Sequence, residues 1–149
     1  MVFATAWGAF SLQAGAALGS HPEALVGSNR VASAKVSTTS VDATSRAYRI
    51  QTTTSQDGST VKEFINSAGI VFAVSWQGPW RPDLKQLLGS YYTIFQQENA
   101  KRVTARARAP GVISSQDFVI KTRGHAHAFQ GLAYVESMLP AGVQPSELQ

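Results

Sequence analysis

Polar and apolar positions alternate over residues 46–54, with Tyr48, Ile50 and Thr52 on one side and Arg49, Gln51 and Thr53 on the other. That is the period of a half-buried strand. Ser55-Gln56-Asp57-Gly58-Ser59 follows, and Asp-Gly accepts the backbone conformation a tight hairpin needs. A second strand over residues 60–65 ends at the turn cluster Asn66-Ser67-Ala68-Gly69. Residues 70–76 are almost continuously apolar, as a strand covered on both faces must be. This strand is therefore expected in the middle of a sheet, with Ile70, Phe72, Val74 and Trp76 facing one way. Gln77-Gly78-Pro79-Trp80-Arg81-Pro82 stops it, because proline cannot donate to the ladder.

From Pro82 the period changes. Pro82 suits a first helical position, and Asp83 complements the positive end of the helix dipole. At about 100° per residue, Leu84, Leu87, Leu88, Tyr91, Tyr92, Ile94 and Phe95 fall in one sector. Lys85, Gln86, Ser90, Thr93, Gln96 and Gln97 fill the other, which predicts one amphipathic helix. Gly89 on its polar side costs about 1 kcal/mol relative to Ala unless another backbone approaches it closely. A basic stretch, 101–108, and Ala109-Pro110-Gly111 return the chain to the sheet. Two more strands, 117–123 and 126–135, flank Gly124 as a hairpin, and the tail is loop with one helical turn begun at Pro145. The order β-β-β-α-β-β predicts an α+β fold, a small antiparallel sheet packed against one amphipathic helix.

Composition narrows the class. A chain of 149 residues with 44% hydrophobic and 15% charged residues fits one globular domain, too apolar for disorder and too broken by polar residues for a membrane bundle. There is no cysteine, which removes disulfides, thiolate nucleophiles and Cys-ligated zinc. Residues 1–20, MVFATAWGAFSLQAGAALGS, carry no charge and contain Ala14-Gly15-Ala16, the small-residue pattern a signal peptidase accepts. Residues 1–16 are thus expected to be a signal peptide, or the remnant of one, cleaved before Ala17. The missing basic n-region leaves a cytoplasmic location open. Residues 17–45 form a loosely packed lead-in, and 46–149 the single domain. No membrane span is expected in the mature chain.

The candidate chemistry is sparse. Residues 101–108 hold Lys101, Arg102, Arg106 and Arg108 with no acid between them, part of a formal net charge of +4. A solvated basic loop is the ordinary meaning, with a polyanion footprint as the alternative. The stretch has no aromatic residue to stack bases, which disfavours nucleic acid. His125 and His127 as alternate residues of one strand would share a face. Two ligands do not make a metal site; His21 is the other histidine, so a third ligand would have to come from Asp117, Glu136 or a more distant carboxylate. No G-x-S-x-G elbow, G-x-G-x-x-G loop or Walker loop is present. Trp80 and Arg81, among rigid loop residues before the helix, pair a large aromatic with a donor fork suited to a glycan, peptide or anion. The default for such a tryptophan is to fold back over the core.

The run GIVFAVSWQGPWRPDLKQLLGSYY at 69–92 and the closing segment HAHAFQGLAYVESMLPAGVQPSELQ at 125–149 carry a resemblance. Phe72, Trp76, Gly78, Pro79, Pro82, Leu84, Leu87, Leu88 and Gly89 fit the first motif; Phe129, Gly131, Leu139, Pro140 and Gly142 fit the second, and Leu18-Gly19 its post-leader start. In these positions the chain resembles an exported bacterial protein family, domain of unknown function 2844. The resemblance implies export and brings no assigned activity.

Together these features predict a periplasmic or secreted accessory or binding domain without cofactor. Trp80, Arg81, His125 and His127 are its candidate ligand-binding residues, and an envelope protein, a glycan or an anionic surface its expected partner. The alternatives are a small hydrolase or metal-dependent enzyme using His125 and His127, and a polyanion-binding protein working through Lys101, Arg102, Arg106 and Arg108.

Overall fold

The computed structural model describes residues 17–22, 35–39, 48–55, 57–104 and 111–148. The expected leader and its cleavage site therefore lie outside the described residues, except for the Ala17 side of the cut. Strands β1 (Lys35–Thr39), β2 (Tyr48–Thr54), β3 (Thr60–Asn66) and β4 (Val71–Gly78) precede the helices. Helix α1 (Leu84–Leu88), a 3-10 turn (Gly89–Tyr91) and helix α2 (Tyr92–Thr104) come next, followed by β5 (Val112–Ser115), β6 (Phe118–His125) and β7 (Ala128–Val135). Among the described residues the strands form one seven-stranded sheet in the order β1-β2-β3-β4-β7-β6-β5, and every pairing is antiparallel.

The α+β class and the antiparallel sheet stand as predicted, but the five-strand order does not. The sheet gains β1 at one edge, inside the segment expected to be a loose lead-in, and β5 at the other. Both are short edge strands of Ser, Thr and Val without a long alternation, so periodicity gives them little weight. The Asp57 turn forms between β2 and β3, its carboxylate accepting from the Ser59 backbone N–H at 2.9 Å and hydroxyl at 3.0 Å. Asn66 closes the β3–β4 turn by accepting from the Ala68 and Ile70 N–H groups at 3.1 and 3.0 Å.

Strand β4 is central, and residues 71–76 are buried without a break. Its side chains do not point as a regular strand would place them. The register shifts between Phe64 and Ile65, so that Phe64 opposes Ala73 and Ile65 opposes Val71. The extra residue, Phe72, joins the core on one face with Tyr48, Phe64 and Tyr134, while Val74 and Trp76 pack on the other face with Leu87, Leu88 and Ile120. A bulge of this kind re-aims side chains locally, and it corrects the expectation that Phe72, Val74 and Trp76 share a face.

The helices cover the Val74 face. Leu84, Tyr91, Tyr92, Ile94 and Phe95 pack around the buried Leu87 and Leu88, as the wheel predicted. The helix is not continuous. Gly89 has φ +53°, a conformation that favours glycine, and it ends α1 there. A Cβ at Gly89 would lie 2.7 Å from the Ala17 Cβ, so the close approach that would justify a glycine is made by the segment just before the domain. That segment is fixed by backbone bonds: Leu18 N–H donates to the Leu87 carbonyl (3.0 Å), Gly19 N–H to Val71 (2.8 Å), and Val71 N–H to Ser20 (3.0 Å). Leu18 is fully buried between them. Asp83 is the N-cap, its carboxylate accepting from the Lys85 and Gln86 N–H groups, so the helix begins at Leu84, two residues beyond the expected Pro82.

On the opposite face lies the C-terminal tail, whose Leu139, Val143 and buried Leu148 pack in one cluster with Phe72 and Tyr134. The turn predicted at Pro145 is present (Pro145–Glu147). No helix among the described residues is long and apolar enough to cross a membrane.

Candidate functional site

Two loops meet at one end of the sheet. The first, residues 79–83, leaves β4 and is stiffened by Pro79 and Pro82. The second is the β6–β7 hairpin, closed by the pair His125 and Ala128 around Ala126 and His127. Trp80 is 59% exposed, against the expectation that it folds over the core. Its ring instead meets the His127 imidazole edge-on, with centroids 5.6 Å apart and planes at 77°. The neighbouring Arg81 lays its guanidinium 5.3 Å from the centroid of the Phe129 ring, a cation–π contact that orients the fork. Three of the four candidate ligand-binding residues, Trp80, Arg81 and His127, thus come together with Phe129.

The hairpin changes the meaning of the two histidines. His125 is the last residue of β6, and His127 occupies the turn with φ +65°, a region few non-glycine residues enter. They are not alternate positions of one strand, which corrects the expectation of a shared strand face. Both are exposed. His21 is elsewhere, its ring nitrogen Nδ1 3.0 Å from the Gly69 carbonyl oxygen. Among the described residues no group of three His, Cys, Asp or Glu is placed to hold a metal ion.

The basic stretch also divides. Helix α2 runs to Thr104, so Lys101 and Arg102 lie in its last turn, where positive charge complements the dipole. Lys101 pairs with Glu98 at 2.7 Å, and that hydrogen bond holds the Glu98 carboxyl below its usual range. Arg102 donates to the Val112 carbonyl at 2.8 Å, tying α2 to β5. Arg106 and Arg108 lie outside the described residues.

Behind the Trp80 end, α2 and the sheet leave a cleft of about 520 Å³ with Trp76, Leu84, Phe95 and Ile120 on its walls and Arg81, Arg102 and Arg123 among its polar residues. Among the described residues no carboxylate lines it. A shallower hollow beside the hairpin, lined by Pro79, Arg123, His125, His127 and Phe129, has about 550 Å³. Sequence reading missed Phe129 and Arg123 as site residues. The available signal was strand alternation beyond Gly124, which puts Arg123 and Gln130 opposite one another once β6 and β7 are paired.

No curated protein and no solved structure matches the chain. A family model described as Protein of unknown function (DUF2844) matches residues 14–148, from the end of the expected leader through the tail that closes the second core. The chain belongs to that family.

Proposed function

We propose that this protein is an exported, non-catalytic binding domain that holds a glycan through the Trp80 end of its sheet. The observation that carries it is Trp80: an exposed indole braced by His127 and flanked by Arg81, while Trp76 on the preceding strand is 6% exposed. The exposed indole offers a flat apolar face, and Trp is among the residues that most often anchor recognition surfaces. A flat amphipathic ring with a fixed cationic fork beside it suits a sugar ring whose hydroxyls or acid groups reach the guanidinium. The hydrolase reading loses support, because the two imidazoles lie exposed on a hairpin instead of converging with a carboxylate.

Export is supported by the apolar leader pattern and by the position of the expected cut. Residues 17–20, which would follow it, are bonded into the fold with Leu18 buried, so cleavage before Ala17 keeps them. Intact-mass measurement on fractionated cells is expected to find the chain beginning at Ala17 in the envelope or medium. An intact Met1 in cytosol would contradict export. For binding, calorimetric titration with cellohexaose, chitohexaose and oligogalacturonate is expected to give at least one interaction that Trp80→Ala weakens tenfold or more with an unchanged circular dichroism spectrum. No interaction with any of the three, or one indifferent to Trp80, contradicts the proposal.

A further inference from the structure

The face of the sheet away from the helices is divided by the C-terminal tail. Beyond the tail's edge, the strand registers lay out two rungs of side chains across β3, β4, β7 and β6. One rung is Lys62, Ser75, Leu132 and Lys121. The next is Thr60, Gln77, Gln130 and Arg123. These residues line a shallow depression of about 140 Å³ in which no carboxylate takes part. The next rung inward is Phe64, Ala73, Tyr134 and Val119, all buried in the core that the tail helps to close. Charged side chains thus begin in the rung of Lys62 and Lys121, whose Leu132 still belongs to that core.

Charge and hydrogen-bonding capacity on this platform are arranged in a definite order. Lys62 on β3 and Lys121 on β6 are three strand spacings apart, roughly 14 Å. Lys121 and Arg123 are two residues apart on one strand, roughly 7 Å. Beside them stand the exposed amide side chains Gln77 and Gln130, which donate and accept alike. Lys121 is held over the Tyr134 ring, its Nζ 5.7 Å from the centroid. The two surfaces are continuous, because Arg123 lines the depression, the hollow beside His127 and the helix cleft.

We infer that the ligand is a polyanionic glycan, a chain of carboxylated sugars that leaves Trp80, passes Arg123 and lies across the Lys121 platform. This inference rests on the glycan reading of the Trp80 end and names its substrate class. Cations at intervals match the recurring carboxylates, and the amides of Gln77 and Gln130 match sugar hydroxyls. The rungs carry no exposed aromatic residue on which bases could stack, so a nucleic acid fits them less well. The positive residues of the basic stretch that are described serve the helix end instead, as Lys101 does with Glu98.

The test uses the full chain, calorimetry and four probes: oligogalacturonate, the same chain fully methyl-esterified, a neutral dextran and a single-stranded oligo-dT of equal charge. Oligogalacturonate is expected to bind, with esterification weakening it at least tenfold and dextran not binding. Raising the salt from about 50 to about 300 mM should weaken it several-fold, since exposed charges are screened. The double variant Lys121→Gln/Arg123→Gln should lose at least tenfold, and Lys101→Gln less than twofold, with folding checked by circular dichroism. Equal binding of the ester, tighter binding of oligo-dT, or a double variant that binds normally overturns the inference. If the double variant is unaffected while Trp80→Ala is defective, the platform fails and the Trp80 reading survives. The reverse pattern keeps the platform and removes Trp80 from recognition.

Discussion

Glu63 lies on the helix-facing side of β3, opposite Gln51 on β2 and Val74 on β4. It is 6% exposed, and its Oε2 has no hydrogen-bond partner among the described residues. Burial raises its carboxyl from the ordinary 4.5 to about 7, because the charged form is poorly solvated there. The folded chain therefore holds this proton more tightly than the unfolded chain. The resulting stabilisation is complete below pH 4.5 and is lost as the pH rises through about 7. In urea denaturation the wild type is expected to lose about 3 kcal/mol relative to Glu63→Gln between pH 4.5 and pH 8. Parallel stability curves for the two proteins would show that the carboxyl is solvated or paired. Trp80 makes the opposite case at the same scale. With its ring 59% exposed, Trp80→Ala should change stability by less than about 0.5 kcal/mol, which a urea midpoint checks. A larger loss would mean that the indole serves the fold.

Among the elements, the junction of residues 17–20 with α1 and β4 is the most constrained. Gly89 combines φ +53° with a Cβ site 2.7 Å from the Ala17 Cβ, so Gly89→Ala is expected to cost about 2 kcal/mol. Leu18→Ala should cost about 3 kcal/mol, since Leu18 is fully buried against Val71 and Leu88 in one cluster. Urea midpoints of both variants measure this; values near wild type would mean that residues 17–20 are dispensable. Gly131 on β7 is a second close approach, where a Cβ would strike the Trp76 ring. Much of this scale was legible. The helical stripe, the Asp57 and Asn66 turns and the double burial of β4 follow from local period and turn chemistry. The β4 bulge, the helix break at Gly89 and the exposure of Trp80 do not, because each is decided by a partner distant in sequence: Phe64, Ala17 and His127. The His125 and His127 pair was misread for a related reason, since placing the hairpin one or two residues away changes strand residues into turn residues.

For the molecule as a whole, the sheet is a partition with two covers. Helices pack on the face bearing Val74 and Trp76, and the tail packs on the other face against the cluster of Phe72 and Tyr134. A lone leucine in a stretch rich in proline and glycine has no period to betray it, yet Leu148 is fully buried. Leu148→Asp is expected to destabilise the fold by about 3 kcal/mol or more and to expose the second core, which dye binding at moderate urea concentrations would register. Among the described residues, Trp80 at one end of the sheet and Lys121 and Arg123 on this second face are exposed, and recognition is assigned to that surface. The most direct measurement is an NMR titration of the folded chain with oligogalacturonate, following the indole N–H signals assigned with Trp80→Phe. The account predicts that the Trp80 signal moves with saturation while that of the buried Trp76 stays in place. A Trp80 signal that does not move, with or without a response elsewhere, would contradict it.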